Sequence, residues 1–156
     1  MFLFPGQSAR ATTGEKLNIV AATAGSGTDD GIDIVSSRYV TVKNCNISTS
    51  DDAIVVKVTQ VVRDSYDITV ENCILASCTN GLKIGTETEG NITNVTFRNC
   101  KVYNPVGGPG PEGGVSIEMT DGYMLDTVTV QGIEIQNARS QSLLSWETEM
   151  QGLVPD

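Results

Sequence analysis

The chain is predicted to be all-β and coiled as a short parallel solenoid of about four to five turns. Three observations predict this. A hexapeptide recurs: Val40-Thr41-Val42-Lys43-Asn44-Cys45, Ile68-Thr69-Val70-Glu71-Asn72-Cys73 and Val95-Thr96-Phe97-Arg98-Asn99-Cys100, with a worn copy at Val128-Thr129-Val130-Gln131-Gly132-Ile133. Successive copies start 28, 27 and 33 residues apart. A second series interleaves with the first: Gly31-Ile32-Asp33-Ile34, Ala53-Ile54-Val55-Val56, Gly81-Leu82-Lys83-Ile84 and Gly114-Val115-Ser116-Ile117. Two interleaved strand series of common period are the mark of a stacked repeat. Composition agrees: 16 glycines and only 5% aromatic residues, with Val, Ile and Thr recurring and no long amphipathic window, favour many short strands over helices.

In chain order, residues 1–16 lack periodicity and read as an irregular lead-in. Residues 17–139 carry the solenoid, and 140–156 read as a tail that loses the repeat. Leu17 to Ala22 is a first strand, and Ser26-Gly27 turns into an acidic stretch. In each repeat Val or Ile alternates with Thr or a charged residue, so one face points inward and the other outward. The Asn-Cys pairs fall in register. Asn44, Asn72 and Asn99 are expected to stack at a bend, and Cys45, Cys73 and Cys100 to form a buried thiol column with a structural role. Asn104 to Gly114 is rich in Gly and Pro and reads as a loop, which lengthens the last period. Such loops on a solenoid tend to fall beside a binding face.

Charge and composition exclude several function classes. The net charge of −9 argues against a nucleic-acid partner, whose phosphates need a basic stripe. No stretch is long and apolar enough to span a membrane. The start, Met1-Phe2-Leu3-Phe4-Pro5, does not read as a signal peptide, having no basic n-region. The absence of histidine removes Ser-His-Asp and Cys-His nucleophile systems and His-ligated metals. The four cysteines lack the close pairing of a zinc or redox site. No cofactor and no metal site is therefore expected, although an Asp cluster attracts cations and leaves calcium open. Carboxylates remain as the natural acid and base groups.

Those carboxylates lie between Thr28 and Lys57. Asp30 precedes one apolar alternating run, and Asp51-Asp52 precede the next, 21 residues beyond Asp30. One turn of a solenoid sets such residues side by side, on the order of 5 Å apart. Crowded carboxylates repel, so one keeps its proton while others ionise. That division is what glycoside hydrolysis needs. Taken singly, each Asp is an ordinary turn residue; their order and spacing favour a shared site.

The order Asp30-Gly31, Asp51-Asp52, Asn80-Gly81-Leu82-Lys83-Ile84-Gly85 and Asn91-Ile92-Thr93-Asn94-Val95-Thr96 resembles the polygalacturonase family of glycoside hydrolases. The resemblance covers Leu17 to Arg139. It implies a right-handed parallel β-helix that cleaves pectin-type polysaccharide with inversion, secreted to meet its cell-wall polymer. It implies Asp51 as the acid that protonates the leaving oxygen, and Asp30 with Asp52 as the pair that activates water.

The chain also departs from the family pattern. The first motif lacks its Asn, Asn80 stands where the family has His, and Ser116-Ile117-Glu118 stands where it has Arg-Ile-Lys. The two cations that hold a uronate are thus missing, and Glu118 would repel one. Asn80, Lys57, Lys83, Glu87, Ser116 and Glu118 are the candidate substrate-binding residues. For Lys57 and Lys83 the competing reading is a salt bridge, with Asp33 or Glu87. For Glu87, in the Gly85–Gly90 turn, it is a solvated acidic turn. A catalytically inactive carbohydrate-binding β-helix, or a truncated remnant with open ends, is the alternative to a working hydrolase. The oligomeric state and the specific polysaccharide stay open.

Overall fold

The computed structural model describes residues 2–3, 18–21, 29–59, 64–103 and 112–146. The chain is a parallel β-solenoid, all strand and turn over these residues. Fifteen strands are β1 (Phe2–Leu3), β2 (Asn18–Ala21), β3 (Ile32–Val35), β4 (Arg38–Lys43), β5 (Asn46–Thr49), β6 (Ile54–Val58), β7 (Ser65–Glu71), β8 (Ile74–Ala76), β9 (Asn80–Thr88), β10 (Ile92–Arg98), β11 (Lys101–Tyr103), β12 (Gly113–Met119), β13 (Leu125–Gln131), β14 (Glu134–Gln136) and β15 (Ser140–Trp146). They form three parallel sheets, with orders β1-β3-β6-β9-β12-β15, β13-β10-β7-β4 and β14-β11-β8-β5-β2. From β3 to β14 each coil visits the three sheets in turn.

The two repeat series are two of the sheets. Val40, Ile68, Val95 and Val128 pair in one column, as the hexapeptide alignment requires. Ile32, Ile54, Leu82 and Val115 pair in another. The inward residues of all three sheets merge into one core, with Phe97 its largest fully buried side chain. Cys45, Cys73 and Cys100 are buried, free thiols within it. Burial pushes the Cys45 thiol pKa up, so it behaves as a small hydrophobe.

The bends have a backbone cause. Asn44, Asn72 and Asn99 all adopt positive φ, between 52° and 56°, and Gly132 takes the same place in the fourth coil at 63°. Asn tolerates this left-handed region better than other side-chain-bearing residues, and Gly enters it freely. Between the third sheet and the first, Gly31, Ala53, Gly81 and Gly114 line a tight corner. A Cβ on Gly81 would stand 2.3 Å from Val102 Cγ1.

The solenoid also extends beyond its expected bounds. Phe2–Leu3, within the expected lead-in, pairs with β3, and Ser140–Trp146, within the expected tail, pairs with β12. The register sets Ser142 and Leu144 over Val115 and Ile117, so a weakened alternation still continues the sheet. The strand expected over 17–22 is β2, Asn18–Ala21. Most of the Gly/Pro-rich stretch, residues 104–111, lies outside the described residues.

Candidate active site

The site is built on the outward face of the first sheet and the corner that leads into it. The corner brings Asp30 and Asp52 onto consecutive coils. The backbone N–H of Asp52 donates to Asp30 Oδ1 at 3.1 Å, and the Gly31 N–H donates to the Asp52 carbonyl at 2.9 Å. Because Ile32 pairs with Ile54, it is Asp52 rather than Asp51 that stacks on Asp30. Asp51 stands beside them: one oxygen from each of the three carboxylates lies within 4.8 Å of the others. The sequence expectation that these acids converge is met in distance.

Asn80 continues the column one coil on. It is only 3% exposed, and its Nδ2 donates to Asp52 Oδ1 at 2.7 Å. Its partner is therefore a carboxylate of the trio. The Ala53 N–H donates to the Asn80 carbonyl, which fixes the stacking.

The two lysines rise from neighbouring strands and face the trio. Lys57 Nζ lies 3.0 Å from Asp33 Oδ2, 3.6 Å from Asp30 Oδ2 and 3.9 Å from Glu87 Oε1. Lys83 Nζ lies 3.1 Å from Asp52 Oδ2 and 3.7 Å from Glu118 Oε2. Glu118, expected to repel an acidic sugar, shares Lys83 with Asp52 and accepts a hydrogen bond from Ser116 Oγ at 2.6 Å. Ser116 is fully buried, so it reaches Glu118 rather than solvent. The Glu87 side chain is half-exposed at the rim.

Proton affinities follow from this packing. Burial, then the neighbouring Asp33 and Asp52 carboxyls, push Asp30 up to about 7 against the pull of Lys57. The Asp33 carboxyl next to Asp30 adds to that rise. Burial also raises Asp52, opposed by Lys83 and Asn80. Burial works against the Lys57 and Lys83 ammonium groups. Their carboxylate partners outweigh it, and both pKa values are raised.

Asp33 and Val55 were not singled out for the site by sequence. Asp33 lies outward on β3, in one column with Val55, Lys83 and Ser116. The alternating pattern marks it as a salt-bridge partner for Lys57 or Lys83, and the structure gives it Lys57. Val55 is 1% exposed yet stands apart from the contiguous core, on the opposite face of β6 from Ile54 and Val56. The available signal was Asp33 at an outward position three residues after Asp30. The trio is also the grouping, among the described residues, compact enough to hold a metal ion. Lys57 and Lys83 already pair with two of its members, so a divalent ion would compete with both.

No curated protein and no solved structure matches the chain. A family model described as the right handed beta helix region matches residues 6–130, most of the sequence. The coil order, the parallel ladders and this match agree, and the chain belongs to the right-handed β-helix family.

Proposed function

We propose that the chain is a glycoside hydrolase of the polygalacturonase type, acting on glycosidic bonds of a pectin-like polysaccharide. The observation that carries the reading is the carboxylate trio gathered within 4.8 Å. A glycosidase needs one carboxyl that holds a proton and one that is ionised. Asp30, pushed up to about 7, is the proton holder near neutral pH. The resemblance gave that role to Asp51; burial and the Asp33 contact favour Asp30 instead. Asp52 has both oxygens engaged, by Asn80 and by Lys83, which suits it to fixing the site's field rather than to attacking carbon. Asp51 is then the carboxylate that draws the proton from the incoming water.

Water attack inverts the anomeric centre, as the resemblance implies. The spacing is tighter than the roughly 6.5–9.5 Å common between the carboxyl groups of inverting enzymes. The anomer formed first, followed by NMR, therefore tests the water route. Inversion is expected, and retention would mean that Asp51 itself attacks. Action on such a polymer implies export from the cell.

The test is reducing-sugar release from a panel of pectic polysaccharides by folded wild type, Asp30→Asn and Asp51→Asn. Each substitution is expected to lower release by about 100-fold or more. Activity of the wild type should fall as pH rises through about 7, as Asp30 loses its proton. A rise across that range would return the acid role to Asp51. A second reading, a non-catalytic carbohydrate-binding β-helix, draws on the locked state of Asp52. Sugar binding without release by the folded wild type would select it.

A further inference from the structure

We propose that the site takes uncharged sugar units, such as methyl-esterified uronates, and rejects free uronate. This rests on the hydrolase reading for the location of the site and adds its substrate class. Six carboxylates, Asp30, Asp33, Asp51, Asp52, Glu87 and Glu118, face two ammonium groups there. The excess is four negative charges, or three when Asp30 holds its proton. Both lysines are outnumbered by their own partners. Lys57 meets three carboxylates and Lys83 meets two. A uronate reaching either ammonium must displace an acid already there, and the displaced acid would remain nearby. Like charges set side by side cost binding heavily and discriminate between partners.

A second observation points the same way. Asp33 Oδ1 and Asn80 Oδ1 are buried acceptors with no hydrogen-bond donor, on residues 5% and 3% exposed. Both residues belong to the site: Asp33 holds Lys57 and touches Asp30, and Asn80 holds Asp52. The site as a whole is rich in acceptors and short of donors. A sugar hydroxyl brings an O–H donor, whereas a carboxylate brings only further acceptors. An ester removes the charge while leaving the neighbouring hydroxyls to donate.

One polymer in two states tests this without changing the backbone. Oligogalacturonides, fully methyl-esterified or fully de-esterified, would be titrated into the intact chain by calorimetry in EDTA. Release of reducing ends would be followed in parallel. The esterified form is expected to bind at least about tenfold more tightly. Affinity for the de-esterified form should improve as salt screens the repulsion. Glu87→Gln, at the exposed rim, and Glu118→Gln should each narrow the preference; the first guards against a folding defect in the second. Equal or tighter binding of the de-esterified form overturns the proposal, as does binding of neither. So does de-esterified binding that calcium restores, since the acids would then act through a cation. Esterified binding without release keeps the substrate class and sinks the hydrolase. Release from the de-esterified form alone does the reverse.

Discussion

A carboxyl that keeps its proton to about 7 makes folding depend on pH in a direction opposite to the usual surface Asp. Asp30 is raised above its ordinary value of 3.8, so the folded state binds the proton more tightly than the unfolded chain. Below about pH 4 both states are protonated and the contribution is fully present. Between about 4 and 7 the unfolded chain ionises while the folded chain does not, and stability is lost as pH rises. Asp52 is raised too and acts in the same sense. Melting temperature should therefore fall between pH 4 and 8, and Asp30→Asn, which mimics the protonated group, should flatten that slope. An unchanged slope in the variant would refute the assignment. Lys83 tests the other side of the same network. Lys83→Met would leave Asp52 buried and short of its cation, at a cost of about 3 kcal/mol in denaturant unfolding. A loss below about 1 kcal/mol would mean that Asp52 takes up a proton instead. The three acids were legible in sequence because they precede recognisable strands. Asp33 is less legible, since a lone outward Asp in an alternating run looks like any solvated position until the coil above puts Lys57 over it.

At the scale of the element, the corners carry the constraint that the strands do not. Gly81 faces the Val102 methyls and the Gly114 carbonyl, at 2.3 Å and 2.9 Å from an added Cβ. Gly81→Val is expected to cost about 3 kcal/mol or more, since the crowding falls on a neighbouring backbone as well as on a side chain. Gly132 looks similar in sequence and differs in kind. Its φ of 63° matches the Asn positions below it, and an added Cβ would meet only the movable Asn99 Oδ1 within 3 Å. Gly132→Asn should shift stability by less than about 1 kcal/mol, as it restores the residue that the other coils use. Chemical denaturation of both variants separates the two glycines, and equal losses would contradict this account. The Asn column was readable because identical residues recur. A parallel column was not: Tyr39, Asp67, Asn94 and Thr127 also sit at positive φ, each skipped by the ladder between paired neighbours. Four different side chains share a left-handed backbone position at which the register does not shift, so no repeated residue announces it.

Across the whole molecule, the coils are unequal in what covers them. One inward column runs Val42, Val70, Phe97 and Val130, and its exposure runs 5%, 0%, 0% and 47%. Phe97 is sealed by coils on both sides, whereas Val130 has, among the described residues, a paired strand on one side only. The repeat length and strand series gave this architecture away in sequence, because stacking forces like residues into columns. Which end lies open was not legible, since Val130 reads as an inward valine like any other. A solenoid holds together through contacts between nearest coils, so an uncovered coil opens at lower free energy than a sandwiched one. Hydrogen exchange under native conditions should show this directly. Amides of β13 and β14 are expected to exchange first, and those of β7, β8 and β10 last. Substitution should follow the same gradient. Phe97→Ala should cost about 3–5 kcal/mol, and Val130→Ala under about 1 kcal/mol, because the first opens a cavity and the second trims a half-exposed side chain. Uniform exchange across all coils, with a large loss from Val130→Ala, would mean that the last coil is sealed in solution by something that lies against it. The solenoid would then unfold as one unit, and the carboxylate site in its middle would gain rigidity from whatever covers that end.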